Sequence, residues 1–376
     1  MTNLETFYFI GKCLTMDEHP GFREETIRRI KGGLIDWERF VALGSSHLVL
    51  PAIYLKFREQ QLIGDLPEEL AGYLKEIFEL NRARNTQIMK QLSEVTKILN
   101  RGNIFPTFLK GSGFLLDGLY SDPGERMIGD IDFLVREKDY LLAAGLLKQS
   151  GYSMVGEFFG TDVNDMKHYP RIAKPDGTDA PAALEIHRLP VSEAYESWFG
   201  PGMIDKEKKE VPTFPGCFVL SDKHNTMLNF IHSQLGHEGH TYGIVSFRDL
   251  YDLYLLSKRY RVEQALPEMK AENKAIAYFV FAGKAFGFPG RFCRQGNFSS
   301  WYFTLKHDLN LSSSIFYHIH RTVIYLVKRI VVGFTLQVIK SFYSAKMRRS
   351  LLRRLGNRQW YREHFRSYLR FFGGGR

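Results

Sequence analysis

The segment Gly129-Asp130-Ile131-Asp132-Phe133-Leu134-Val135 combines an apolar, strand-forming pattern with two carboxylates. Side chains alternate between the two faces of a strand, so Asp130 and Asp132 share one face. Ile131, Phe133 and Val135 point to the opposite face, into a core. The sequence therefore predicts a buried strand that presents an acidic pair at its start.

This acidic pair predicts a metal site. Two carboxylates side by side on a buried strand repel each other and lose solvation, and a divalent cation removes that conflict. Hard oxygen ligands suit Mg²⁺, which commonly binds one or two carboxylates together with substrate phosphates. Two ions about 3.5–4 Å apart can serve the attacking and leaving oxygens of phosphoryl transfer. We expect two Mg²⁺ ions at Asp130 and Asp132, with Mn²⁺ as the alternative metal.

A third carboxylate follows in Ala183-Leu184-Glu185-Ile186-His187, which predicts a neighbouring strand with Glu185 and His187 on one face. Glu185 is the candidate third metal ligand and would help to activate an acceptor hydroxyl. His187 is either a structural hydrogen-bonding residue or a partner that supports the metal ligands, and we favour the second.

The segment Leu109-Lys110-Gly111-Ser112-Gly113 is a candidate triphosphate site. It follows a predicted strand at 104–109, where backbone N–H groups and the dipole of a following helix favour anions. The glycines allow close backbone approach, while Lys110 and Ser112 offer a charge and a hydroxyl. Arg126 would add a planar phosphate contact, although it is equally able to pair with a nearby acid.

The order of predicted elements gives an α+β fold with a small α/β core flanked by helical regions. Residues 1–100 show helical periodicity, including a long helix at 67–101. A strand–helix–strand–helix–strand module follows. Its predicted strands are 104–109, 131–135, 152–159 and 183–189, and its predicted helices are 114–120 and 138–149. A Pro/Gly/Asp-rich loop lies at 170–181, and helices return after about residue 220. We expect four parts: a helical region at 1–102, an α/β core at 103–200, a helical domain at 201–310 and a basic helical tail at 311–376.

The net charge of +10 is concentrated at one end of the chain. Residues 321–376 hold 14 Lys/Arg and one acid, Glu363, while the rest of the chain is close to neutral. Such a tail fits RNA, an anionic membrane surface or an acidic partner, and charge alone does not choose among them. For the apolar segment 315–343 we favour a buried or partner-facing helix, with an interfacial membrane helix as the alternative.

The remaining bulk features fit a globular cytoplasmic protein, with peripheral membrane attachment as the alternative. The chain is 44% hydrophobic and 24% charged, and its three cysteines form no metal-binding cluster in the sequence. The N-terminus has no basic region followed by an apolar core, so it does not predict a signal peptide. No stretch of about 18 residues is free of charge, so no membrane span is predicted.

In these motifs the chain resembles the DNA polymerase β-type nucleotidyltransferase superfamily, and more closely a bacterial family of uncharacterised nucleotidyltransferases. The resemblance rests on Leu109-Lys110-Gly111, Asp122-Pro123-Gly124, Gly129–Val135 and Glu185-Ile186-His187, and it extends from about residue 36 to 260. It implies that the α/β core at 103–200 is a small polymerase β-like nucleotidyltransferase core. It also implies transfer of a nucleoside monophosphate (NMP) from a nucleoside triphosphate (NTP) such as ATP to an acceptor, with release of pyrophosphate. The acceptor class stays open among RNA, protein, sugar and small molecule.

Two features depart from the superfamily pattern. Seventeen residues separate Ser112 from Asp130, which is longer than the usual gap. The third acid is Glu185, where Asp is commoner. These departures concern the geometry around the acidic pair more than the pair itself.

Two other functions compete with NMP transfer. One is a nucleotide-sugar glycosyltransferase that uses the Asp-x-Asp pair to bind a metal, and the other is a non-catalytic or toxin-type module that binds RNA or a partner. The histidines of the segment His232–His240 suggest zinc, but their spacing differs from the i,i+4 pair of a helical zinc site. We expect a polar loop beside the acceptor pocket there.

Overall fold

A computed structural model describes residues 1–156, 163, 166–175, 180–328 and 335–344, together with 348, 349, 351, 352, 356, 357 and 362. The chain forms two compact units, Met1–Ser312 and Ser313–Arg376. The first unit is a mixed α/β structure that carries the acidic residues. No helix among the described residues has the length and apolar character needed to span a bilayer.

Helices make up most of the first unit. They are α1 Asn3–Leu14, α2 Pro20–Lys31, α3 Trp37–Ser46, α4 Leu50–Glu59, α5 Glu68–Arg101, α6 Lys110–Leu116, α7 Tyr140–Gln149, α8 Glu193–Glu196, α9 Pro201–Glu207, α10 Asp222–Phe230, α11 Gly239–Tyr242, α12 Phe247–Leu256, α13 Glu272–Ala285 and α14 Phe298–Ser312. Short 3-10 turns cover Ile63–Asp65, Glu137–Asp139 and Val262–Glu268, and a π-helical turn covers Ile231–Gly236. The second unit contains α15 Ser314–Val327 and α16 Leu336–Tyr343.

The described residues form one mixed sheet of seven strands. They are β1 Thr107–Phe108, β2 Asp130–Leu134, β3 Ser153–Met154, β4 Ile172–Ala173, β5 Ala183–His187, β6 Lys209–Glu210 and β7 Phe218–Val219. Their order across the sheet is β3-β4-β5-β2-β1-β7-β6. Strands β2 and β5 are central, parallel and five residues long, so their side chains set the geometry of the sheet's middle.

The long helix α5 fixes the loops that lead into the central strands. Its buried positions recur every three or four residues along one face, as expected for a helix that packs against a core. On that face the buried amides of Asn81 and Asn85 both donate to the carbonyl of Arg126, at 3.0 and 2.8 Å. Gln91 exchanges two hydrogen bonds with the backbone of Ala182, just before β5. Helix α5 therefore anchors the entry of β2 and of β5.

One hydrophobic core lies on the sheet, and a second joins the helices around it. Ile131, Phe133, Leu184 and Ile186 are fully buried in the sheet core. Burial of apolar side chains at alternate positions on two adjacent strands fixes their register, because a slip of one residue would turn these side chains out and the acids in. The alternation predicted for this stretch is confirmed.

Most predicted elements exist, with shifted ends. The helix predicted at 67–101 is α5, and the strands predicted at 131–135 and 183–189 are β2 and β5. The helix predicted at 114–120 is wrong in position, because the chain turns helical already at Lys110. The strand expected at 152–159 is β3, and its residues 157–159 lie outside the described part of the chain.

Candidate functional site

Asp132 and Glu185 face one another across the two central strands. Their Cα atoms are register partners in the parallel β2–β5 pair, and Asp130 pairs with Ala183 one step earlier. Asp132 is buried, with 7% of its surface exposed, whereas Glu185 and Asp130 are half-buried. The three predicted acids thus meet at the start of the strand pair, on the face away from the sheet core.

His187 completes a group of side chains able to hold a metal ion. One ligand atom each from Asp132, Glu185 and His187 lies within 4.8 Å of the other two. The Nε2 atom of His187 lies 2.9 Å from Oδ1 of Asp132 and 3.6 Å from Glu185. His187 lowers the pKa of Glu185 against the opposing effect of burial. The residues present fit a divalent cation.

Lys110 neutralises the buried acid. Its Nζ donates to Oδ1 of Asp132 at 2.8 Å. Burial alone would raise the pKa of Asp132, but Lys110 and His187 hold that pKa well below its usual range. Lys110 also has a φ of 51°, in the left-handed region that costs a non-glycine residue free energy. Strain of this kind is retained where the surrounding structure imposes it, and here it aims Lys110 at Asp132.

Arg171 bridges the other two acids. It forms an ion pair with Asp130, and its Nε lies 3.8 Å from Glu185. Burial raises the pKa of Asp130, and the neighbouring carboxylates add to this effect while Arg171 opposes it. Three carboxylates are therefore balanced by two cationic side chains, each in contact with an acid.

Ser112 and Gly111 lie where strand β1 gives way to α6. The Ser112 hydroxyl is fully buried and lies within hydrogen-bonding distance of the carbonyls of Leu109, at 2.8 Å, and Asp132, at 3.1 Å. This hydroxyl ties the turn to strand β2. A side chain at Gly111 would place its Cβ 2.3 Å from Nη1 of Arg126, so glycine is needed for this close approach.

Arg126 pairs with an acid far away in the sequence. Its Nε and Nη2 donate to the two oxygens of Asp252 at 2.7 Å each, and both side chains are buried. Tyr120 donates to the same carboxylate. Burial would lower the pKa of Arg126, but Asp252 raises it overall. The guanidinium sits beneath Gly111, with two of its nitrogens bound to Asp252.

The acids open into a cavity of about 420 Å³ whose walls carry both charge signs. Its lining includes Lys110, Gly111, Arg126, Asp130, Asp132, Lys167, His168, Glu185, His232, His237 and Arg248. A second cavity of about 330 Å³ shares three lining residues with the first, namely Lys167, His232 and His237. Its other lining residues include Val191, Tyr195 and Leu235. These shared residues stand between the acids and the second cavity.

The π-helical turn Ile231–Gly236 brings His232 and His237 together. Their Nε2 atoms lie 3.2 Å apart. In a π-helix residues five apart lie close together, unlike in an α-helix. Burial, Lys110 and His237 lower the pKa of His232 to about 2. The third histidine, His240, stacks on Phe303 instead, and the only group of three metal-ligating side chains among the described residues is the acidic one.

Four residues at or next to the site were not predicted from the sequence as site residues. They are Lys167, Arg171, Arg248 and Asp252. Arg171 lies in the predicted loop at 170–181, directly before β4, which pairs with β5. Asp252 lies on α12, whose helical pattern was recognised. The sequence signal that could have indicated this contact was a basic residue, Arg171, directly before the apolar pair Ile172-Ala173 in that loop.

A mixed α/β fold that pairs carboxylates across two parallel strands defines a class of candidate metal-binding α/β proteins. Comparison with protein families identifies the family within this class. The sequence model of a family described as "Uncharacterised nucleotidyltransferase" matches residues 34–288, and the chain belongs to this family. No curated protein matches the chain.

Proposed function

We propose that the protein transfers an NMP from an NTP to an acceptor nucleophile in a metal-dependent reaction that releases pyrophosphate. The observation that carries the proposal is the pairing of Asp132 with Glu185 across β2 and β5, with Asp130 beside them. Family membership supports nucleotidyl transfer in general. We further propose a polymerase β-like core at 103–200, with the other three parts as delimited from the sequence.

Asp130, Asp132 and Glu185 would supply the metal ligands. Their carboxylate oxygens are the ligands that Mg²⁺ prefers, and Mn²⁺ accepts the same set. When bound, two such ions would neutralise phosphate charge and favour ionisation of the acceptor hydroxyl. The lowered pKa values of Asp132 and Glu185 keep both acids ionised at neutral pH, as metal binding requires.

His187 would position Asp132 and not bind the metal itself. Nδ1 of His187 is buried and has no hydrogen-bond partner among the described residues. Metal binding through Nε2 would place the proton on Nδ1, and a metal-bound histidine almost always donates that proton to an acceptor. A tautomer that donates from Nε2 to Asp132 avoids an unsatisfied buried N–H. This assignment agrees with the supporting role expected from the sequence.

Lys110 and Arg171 would exchange partners during binding. Without a metal they compensate the carboxylates, Lys110 at 2.8 Å from Asp132 and Arg171 against Asp130. A divalent cation at the carboxylates would replace that compensation and leave both side chains beside the triphosphate. Gly111 and the backbone around it would approach the phosphates, whereas the Ser112 hydroxyl and Arg126 would hold the turn in shape.

The acceptor would occupy the second cavity. Lys110 and Gly111 lie on the β1 side of the acids, whereas Lys167 and the His232–His237 pair lead from the acids into the cavity of about 330 Å³. This volume lies in the range of sites for small molecules. Neutral His232, which lies 3.2 Å from His237, would accept a hydrogen bond from the incoming nucleophile.

The test is transfer of label from [α-³²P]NTPs to components of a cell extract, separated into protein, RNA, sugar and lipid fractions. The wild-type chain is expected to label one fraction in the presence of Mg²⁺, and Asp132→Asn is expected to abolish the labelling without unfolding the protein. The matched control is Asp122→Asn, in the turn before Arg126. Unchanged labelling by Asp132→Asn would overturn the assignment.

A further inference from the structure

The second unit exposes an apolar stripe on α15. The side chains of Ile315, Ile319, Val323 and Val327 are 71%, 59%, 52% and 52% exposed. Because these residues recur every four positions, they lie along one face of the helix. The Ser313 side chain accepts a hydrogen bond from the backbone N–H of Phe316 and defines where the helix begins. The stripe is thus part of a capped, regular helix.

Helix α16 repeats this feature. Val338, Ile339, Phe342 and Tyr343 are 42%, 47%, 72% and 89% exposed, and their i, i+1, i+4, i+5 spacing places them on one side of the helix. Large aliphatic and aromatic side chains exposed together usually mark an interaction surface, since solvent exposure of such a patch is unfavourable.

The apolar faces belong to a strongly basic part of the chain. Residues 321–376 contain 14 Lys/Arg and the single acid Glu363. A binding partner for this region must therefore offer both an apolar surface and negative charge. An anionic lipid bilayer offers both, because acyl chains lie directly beneath the charged headgroups.

We propose that residues 314–376 bind the surface of an anionic lipid bilayer. The apolar faces of α15 and α16 lie at the boundary between headgroups and acyl chains, and Lys and Arg side chains contact lipid phosphates. An interfacial helix with a polar side and an apolar side needs no span of the bilayer. Two weak signals, apolar burial and charge, together give stable attachment where one alone gives marginal binding.

Two other binding partners, a second copy of the chain and an RNA, would each account for only one of the two observations, the apolar faces or the positive charge. A second copy of the chain would cover the apolar faces but would bring two strongly positive segments together, which repel. An RNA would match the charge, but nucleic acids bind through phosphates and base stacking and leave aliphatic faces such as Ile315–Val327 uncovered. The bilayer accounts for both observations.

The test is flotation of the full chain with vesicles of phosphatidylcholine alone or with about 30% phosphatidylglycerol. We expect binding to the anionic vesicles only, reduced several-fold when NaCl rises from about 0.1 to about 0.5 M. Ile319→Asp/Val323→Asp is expected to reduce binding at least about tenfold, since each buried aliphatic side chain contributes strongly to partitioning. The matched control is His318→Asp/Thr322→Asp, which adds the same charge at the same spacing.

Binding that falls in the first variant and persists in the control supports the proposal, provided that circular dichroism shows equal helix content. Absence of binding to anionic vesicles overturns it. So does salt-independent binding to both vesicle types. A dimer in light scattering that Ile319→Asp/Val323→Asp dissociates, without vesicle binding, assigns the face to a second copy. RNA binding without vesicle binding assigns the tail to nucleic acid, and either result overturns the proposal.

Discussion

The Nζ atom of Lys110 donates a hydrogen bond to Oδ1 of Asp132 at 2.8 Å, so the cation lies where the proposed reaction requires a metal ion. Asp132 is buried, and burial of an unpaired carboxylate is costly. The ion pair with Lys110 offsets the free-energy cost of burying this carboxylate. In the proposed reaction a metal ion would bind this carboxylate, and the same lysine would then be available for a phosphate.

Lys110→Met is therefore expected to change two affinities in opposite directions. Mn²⁺ should bind more tightly in the absence of nucleotide, because the lysine no longer competes. A non-hydrolysable NTP should bind at least about tenfold more weakly, since a charge-assisted hydrogen bond contributes about 1.5–3 kcal/mol. Titration calorimetry measures both. Lys138→Met, at an exposed position, is the control. A parallel loss of both affinities would refute the exchange of partners.

Removal of the Arg126 side chain is expected to destabilise the fold. Arg126→Met leaves the Asp252 carboxylate buried without its partner, and breaking such a pair costs about 3–5 kcal/mol. Asp252→Leu should also lower the free energy of unfolding, because it leaves the Arg126 guanidinium buried without its partner. The double variant Arg126→Met/Asp252→Leu should lose less than the sum of the single losses. Urea unfolding provides the values. If Arg126 is instead mainly a phosphate ligand, Arg126→Met will keep its stability and lose only NTP affinity.

Two glycines near the acids offer a matched comparison. Gly111→Ala would bring Cβ within 2.3 Å of the Arg126 guanidinium, whereas Gly129→Ala meets no atom within 4 Å. We expect Gly111→Ala to reduce NMP transfer by an order of magnitude or more, because the turn that carries Lys110 must shift. Gly129→Ala should remain close to wild type in the same labelling assay. Equal effects of the two substitutions would contradict the packing described for Gly111.

The stability of the fold should fall below neutral pH. Burial and the nearby His307 lower the pKa of His47 to about 4 from its usual 6.5, and Nδ1 of His47 accepts a hydrogen bond from the Phe247 backbone at 3.2 Å. The unfolded chain therefore binds this proton more readily than the folded chain. The contribution of His47 to the free energy of unfolding is fully present above pH 6.5 and is lost as the pH falls towards 4. The expected loss is on the order of 1–3 kcal/mol.

Unfolding by urea between pH 4 and pH 7 checks this dependence. His47→Gln retains an acceptor and does not titrate, so its stability should fall less steeply over this interval. His318→Gln, at an exposed position, should follow the wild-type curve. Identical slopes for all three proteins would show that His47 does not contribute.

The central elements could be predicted from the sequence because their patterns are local. Alternation in Asp130–Val135 and in Ala183–His187 specified two strands, and the period of α5 specified a long helix. Parallel pairing of the strands then brought Asp132 opposite Glu185. That pairing followed from the expectation of neighbouring strands, and its register depends on the core side chains of both.

The rest of the site depends on contacts between distant residues. Arg126 and Asp252 are 126 positions apart, and each would fit a solvent-exposed helix or turn equally well. Arg171 reaches the acids because the two-residue strand β4 pairs with β5, and a strand this short leaves no periodic signal. The π-helical turn joins His232 to His237 at a spacing that an α-helical pattern separates.

The most direct measurement compares α- and γ-labelled NTPs in one Mg²⁺-dependent reaction with the wild-type chain. We expect the α-phosphorus label to move to the acceptor while the γ label leaves as pyrophosphate, and we expect Asp132→Asn and Glu185→Gln to abolish both. Transfer of the γ label to an acceptor, or release of the γ label as orthophosphate without α transfer, would contradict nucleotidyl transfer at this site.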